Sequence, residues 1–253
     1  MRKNLQVLFF LLSFSSHIAM SAETYKENFV GGVFIYDGDE PYVNFSDIPG
    51  PFKLRTNNTD LIINTIANGV YDKWSAKEAI SLTYCISDKF GATKESVVQA
   101  LRVASEDWMN TANVKYIYMP QQDSLCNQSN KNVMFDVRPV SGQPYLARSF
   151  FPHTPRLSRN VLIDSSSFKY DEVALTGFLR HELGHTLGFR HEHISKQSQG
   201  LCPEDDSFKP LTKYDQVSVM HYPQCGGKNI ITNMTISSLD EEGARLVYPF
   251  NAR

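Results

Sequence analysis

The chain has 253 residues, enough for one ordinary domain with a short extra segment or for two small lobes sharing a cleft. Its formal net charge of −2, with no basic stripe anywhere, argues against nucleic acid as a partner. Apolar residues make up 42% of the chain, an ordinary share that excludes a fibrous or disordered protein.

Arg2 and Lys3 precede an apolar run from Leu5 to Phe14, and small residues follow at Ser15, Ser16, Ala19, Ser21 and Ala22. That order predicts a secretory signal peptide over 1–22. The run is too short to span a bilayer, and no second hydrophobic stretch follows, so no membrane anchor is expected. The mature protein is expected to be soluble, monomeric and exported to the periplasm or the medium.

Four cysteines suit an oxidising compartment: Cys85, Cys126, Cys202 and Cys225. They allow three pairings. Cys85–Cys126 with Cys202–Cys225 is favoured, because each bridge then stays within one lobe. None stands in a Cys-x-x-Cys arrangement, which argues against a thiolate metal site.

Residues 23–68 form a first segment rich in Asn, Asp, Gly and Pro, with short strand-like pieces such as Phe29–Tyr36. Residues 69–253 read as the main domain. Ala79–Ser87 is a strand candidate, and Thr93 then opens a helix with Val97, Val98, Leu101, Ala104 and Trp108 on one face. Strands are predicted at Val114–Met119, Val133–Val140, Tyr145–Phe151 and Asn160–Ile163. Asp171 caps a helix to about Gly188, with Leu175, Leu179, Leu183 and Leu187 four apart. The remainder is irregular until a last helix near Ser238, where Ser238 and Glu241 suggest a capping box. The order predicts an α+β fold: an upper lobe of mixed sheet with two long helices, and a loop-rich lower lobe with a C-terminal helix.

The chemistry concentrates in Arg180–His193, which reads RHELGHTLGFRHEH. His181 and His185 are four apart, so on a helix both imidazoles project from one face and suit two corners of a tetrahedral Zn²⁺ site. Glu182, one residue on from His181, points beside the metal and can take a proton from zinc-bound water. Gly188 can enter the left-handed region, end the helix and turn the chain back, bringing His191 as third ligand. A fourth position is left for water, as a catalytic site requires. Downstream, Ser218-Val219-Met220-His221-Tyr222-Pro223 can form a tight turn whose methionine supplies an apolar floor beneath the imidazoles. Tyr222 can reach the zinc with its phenolic oxygen, or swing away to hydrogen-bond the oxyanion on a scissile carbonyl.

At these residues the sequence resembles the metzincin clan of zinc metallopeptidases, whose defining pair is the motif His181-Glu182-x-x-His185-x-x-Gly188-x-x-His191 and a Met-turn. Within the clan it looks most similar to the astacins and to bacterial secreted astacin- or matrixin-like peptidases. Glu192 matches the astacin glutamate that receives the mature N-terminus, and Tyr222 matches the astacin tyrosine that acts as a fifth zinc ligand. After Glu192 the chain reads His193-Ile194-Ser195, where astacins carry Gln-x-Arg. The resemblance covers roughly Ala79 to Phe250. It implies a metzincin-type zincin fold and hydrolysis of peptide bonds in protein or peptide substrates, with Tyr145–Phe151 as the edge strand that holds the substrate backbone.

The first segment contains no cysteine, which excludes a thiol as a blocking zinc ligand. Its Phe34-Ile35-Tyr36-Asp37-Gly38-Asp39 looks like the aromatic-x-Gly-Asp element of astacin propeptides, which implies that Asp39 displaces the catalytic water in a zymogen. Two other classes can carry the same motif: a non-catalytic zinc-binding adhesin on a peptidase fold, and a zinc amidase acting on cell-wall peptides. Chelator-sensitive proteolysis separates the first from a peptidase, and product mass spectrometry separates the second.

Overall fold

Short runs of β-branched and aromatic residues alternate along the chain with two amphipathic helices, and the architecture follows that alternation. The computed structural model describes residues 24–36, 38–48, 61–194, 208–228 and 230–250. The expected signal peptide and Cys202 lie outside the described residues.

In chain order the elements are β1 (Tyr25–Lys26), β2 (Phe34–Tyr36), β3 (Glu40–Tyr42), β4 (Ile62–Ile66), β5 (Val70–Tyr71), α1 (Ala76–Ala79), β6 (Leu82–Ile86) and α2 (Lys94–Thr111). They continue with β7 (Tyr116–Tyr118), β8 (Phe135–Val140), β9 (Ala147–Arg148), β10 (Asn160–Asp164), α3 (Glu172–Thr186), β11 (Phe189–Arg190), β12 (Phe208–Pro210) and α4 (Ser238–Val247). The fold is α+β, with a five-stranded mixed sheet in the order β7-β6-β8-β10-β9. The first four strands run parallel, while β9 pairs antiparallel on the edge through Leu162↔Arg148 and Ile163↔Ala147. Every residue of β10 is buried, as expected for an inner parallel strand covered on both faces.

Helices α2 and α3 pack together on this sheet. Thr93 precedes α2 as expected, and Val97, Leu101, Ala104 and Trp108 form its buried face. Asp171 caps α3 by accepting a hydrogen bond from Ala174 N. The Trp108 indole stacks on Phe189 and donates to Arg180 O at 2.8 Å, so one side chain ties α2 to both α3 and β11. Among the described residues beyond Gly188, the chain is mostly irregular up to α4.

Some boundaries differ from the sequence reading. The strand expected from Ala79 starts only at Leu82, because Ser75 and Glu78 form a capping box that makes Ala76–Ala79 a helical turn. Only Ala147 and Arg148 of the expected strand Tyr145–Phe151 are paired in the sheet. The final helix is capped one residue earlier than expected, by Ser237 with Asp240. Asp240 also accepts from Ser218 Oγ and Val219 N, and that second duty selects it over Glu241.

Two further sheets involve the first segment. Strands β1, β2 and β3 form an antiparallel sheet; Ile35 of β2 and Val33 just before it share an apolar cluster with Tyr145 and Leu162. Strand β4 lies between β11 and β12, with β5 also paired to it. Leu61 and Ile63 belong to the same core as Trp108, Leu183 and Phe189. The expected Cys85–Cys126 bridge is present. Cys225 is also disulfide-bonded. Among the described residues, no helix is long and apolar enough to cross a membrane.

Candidate metal centre

Helix α3 sets two corners of the site. His181 and His185 lie one turn apart on it, with ring centroids 4.9 Å apart. The helix ends at Leu187, and Gly188 has φ +99°; a Cβ there would lie 2.1 Å from the Asp72 carbonyl oxygen. Only glycine fits that turn. The reversed chain enters β11 and delivers His191, whose ring lies 5.2 Å from that of His181 and 4.8 Å from that of His185.

Backbone carbonyls orient two of the rings. His181 Nδ1 pairs with Val219 O, and His185 Nδ1 with Phe189 O, both at 2.7 Å. A carbonyl only accepts, so each Nδ1 carries the proton and each Nε2 turns its lone pair inward. Both Nε2 atoms are buried and make no hydrogen bond among the described residues. Burial pushes the His185 pKa down to about 4, which keeps that ring a neutral donor.

The fourth corner comes from the first segment. The Asp39 carboxylate lies 3.5 Å from His181 Nε2, 3.6 Å from His185 Nε2 and 3.0 Å from His191 Nε2. Gly38, at φ +95°, makes the approach possible: a Cβ there would stand 3.2 Å from the Tyr222 hydroxyl. Burial alone would raise the Asp39 pKa, but the three facing imidazoles, His191 foremost, hold it well below the usual carboxylate range. Tetrahedral ligands about 2.0–2.1 Å from zinc stand roughly 3.3 Å from one another. The carboxylate-to-imidazole spacings of 3.0–3.6 Å fit that set, and all four ligand atoms lie within 4.8 Å of one another, so Asp39, His181, His185 and His191 could together hold a divalent metal ion.

Glu182 lies beside this cluster, its Oε2 buried and without a hydrogen bond among the described residues. Burial, with the Asp39 charge behind it, holds its carboxyl well above the ordinary range. It lines a cavity of about 200 Å³ with Tyr145, Phe178, His181, Tyr222 and Met234. The Tyr222 ring stacks on His181 at 5.3 Å and lies 4.2 Å from His191. Met220 is fully buried, and the place of a Cβ on Gly184 would fall 2.4 Å from its sulfur, so the thioether packs tightly under α3. The turn around it is pinned by Met220 O accepting from Glu192 N and by Asp240 accepting from Ser218 Oγ and Val219 N. Glu192 itself accepts from Asp215 N.

Six residues singled out from the sequence, Asp39, His181, Glu182, His185, His191 and Tyr222, meet at this centre. Three contributors are new. Asp240 anchors the turn. Glu40, next to Asp39, pairs with Arg190 through Nε at 2.9 Å and Nη2 at 2.6 Å. Glu27 pairs with Arg148 in the same forked way. No local spacing connects these partners.

Fold and site together define an α+β protein with a buried centre of three imidazoles and one carboxylate, suited to a metal ion. The fold is similar to that of myroilysin, at 18% identity over 72% of this chain and 97% of that one, with a TM-score of 0.51. A second structure of myroilysin gives 16% identity over 84% of this chain and 99% of that one, with a TM-score of 0.48. No protein-family model matches the sequence, and neither does any curated protein.

Proposed function

We propose that the chain is the latent form of a secreted, zinc-dependent endopeptidase. The observation that carries this reading is the convergence of three imidazoles on one point capped by Asp39, with Glu182 alongside in the adjoining cavity. The likeness in fold to myroilysin and the metzincin-like motif support it.

His181, His185 and His191 would hold the zinc, which when bound would polarise a scissile carbonyl and acidify a water. Glu182 takes the proton of the attacking water and returns it to the leaving amine. Tyr222 donates a hydrogen bond from its hydroxyl to the oxyanion that develops on the carbonyl. Strand β9, as the sheet edge, offers unpaired backbone groups to an extended peptide.

In the latent form Asp39 occupies the place of the attacking water. Two buried ion pairs, Glu27–Arg148 and Glu40–Arg190, clamp the segment on either side of it. Activation removes this segment, and the cut falls before Leu61, because β4 is part of the main core. The test is casein digestion by the proteolytically matured chain. Cleavage should stop with a chelator, return with zinc, and be absent in Glu182→Gln. Digestion indifferent to chelator, or normal in Glu182→Gln, refutes the reading.

A further inference from the structure

The contact between Glu27 and the wall of the cleft has the form of ligand recognition. Glu27 Oε1 accepts from the Tyr145 hydroxyl at 2.5 Å and from Arg148 Nε at 2.9 Å. Its Oε2 accepts from Arg148 Nη2 at 2.6 Å and from Val33 N at 2.9 Å. Three of these four donors belong to the main domain, and only Val33 N belongs to the segment. Arg148 does not depend on Glu27 for its position: its Nη1 donates to Ser149 O at 3.3 Å and to Asn160 O at 3.2 Å.

This donor set adjoins the chemistry. Arg148 sits on the edge strand β9, and Tyr145 lines the same cavity as Glu182 and Tyr222. Ser149, the next residue, donates its hydroxyl to the Glu182 carbonyl oxygen at 2.8 Å. Removing the segment takes away the carboxylate and leaves a guanidinium fork and a phenol converging on an empty acceptor position. Leu162 and Val140 flank Tyr145, so a charge placed there meets partly apolar walls, where charge-assisted hydrogen bonds are strengthened.

We propose that Tyr145 and Arg148 form a carboxylate-recognising subsite for the substrate, which Glu27 fills in the latent chain as a substrate side chain would. The matured enzyme therefore prefers extended peptides carrying Asp or Glu at the position that reaches Arg148. This inference rests on the peptidase reading and adds to it the class of substrate. A neutral amide of the same shape brings no charge and fewer acceptors to the fork, and a charge-assisted pair corresponds to a preference of about tenfold or more.

Two measurements test it. The first uses the full chain and needs no proteolysis. Glu27→Ala removes one acetate equivalent from the buried fork. Sodium acetate should raise the melting temperature of this variant by about 2–4 °C over sodium chloride at equal ionic strength. Acetamide should not, and neither should acetate in the double variant Glu27→Ala/Arg148→Met. Equal response to acetate and chloride overturns the subsite. The second compares kcat/KM of the matured wild-type chain on peptide pairs differing only as Glu or Gln at successive positions. One position should favour Glu by about tenfold or more, and Arg148→Met should bring that ratio towards one. Cleavage of the pairs without a preference at any position overturns this inference alone. No metal-dependent cleavage of any peptide overturns the peptidase reading beneath it.

Discussion

A chain that begins at Gly69 should fail to fold, whereas one that begins at Leu61 should fold. The difference between them is Leu61, β4 and the two residues after it, Ala67 and Asn68. Leu61, Ile62 and Ile63 are 1%, 0% and 0% exposed, and β4 pairs with β11, β12 and β5. Burying one such aliphatic side chain contributes about 1.5–3 kcal/mol, so the three together contribute roughly 5–9 kcal/mol. The whole margin of a globular domain is about 5–15 kcal/mol. Backbone bonds add to the loss: Asn64 N donates to Gly188 O at 2.8 Å, at the turn that positions His191. The assay is urea unfolding of both chains followed by circular dichroism. The Leu61 chain should show one cooperative transition. The Gly69 chain should be insoluble, or show no transition. If the two unfold within about 2 kcal/mol of one another, β4 is an accessory strand and the assignment of the boundary is wrong.

Asp39→Ala in the full chain should produce measurable casein cleavage where the parent has little. The two buried ion pairs should still hold much of the segment in place, so activity should stay below that of the matured enzyme; a fully latent Asp39→Ala would remove the blocking role. Gly188→Ala should cost about 3 kcal/mol or more in unfolding free energy, because its Cβ meets the Asp72 carbonyl oxygen in a left-handed turn; a loss below 1 kcal/mol would contradict that geometry. Burial raises the pKa of Asp240 from the ordinary carboxylate range to about 6. The folded state therefore binds the proton more tightly, and stability should fall as pH rises from about 4 to 6, by up to about 3 kcal/mol. Calorimetry over that range should show the slope in the wild type and lose it in Asp240→Asn; equal slopes would refute the attribution.

Much of the centre was legible because its information is local. The four-residue spacing of His181 and His185 needs only a helix, and Gly188 marks where that helix must turn back. Asp171 announced its helix by short-range capping chemistry, whereas Thr93 marks the start of α2 without capping it, its hydroxyl donating to Phe90 O. The capping box of α4 was misjudged by one residue because Ser237/Asp240 and Ser238/Glu241 satisfy the same spacing. What separates them is a tertiary demand, the Met-turn donors that Asp240 accepts from. The apolar run Leu61-Ile62-Ile63 was not picked out as a strand, because its partner Phe189–Arg190 lies far along the chain. Glu27 and Arg148 are 121 positions apart, and no periodicity joins them. Asp39 was found through a short motif, whereas the clamps that hold it in register are long-range ion pairs.

The central claim is that three imidazoles surround one divalent ion while Glu182 stands free to move protons. Metal analysis of Glu182→Gln beside His185→Ala tests it most directly, with X-ray absorption at the zinc edge. Glu182→Gln should retain about one zinc per chain with nitrogen ligands near 2.0–2.1 Å, and His185→Ala should lose it. Zinc bound equally by both variants, or a fully active chain with no metal, would contradict the account.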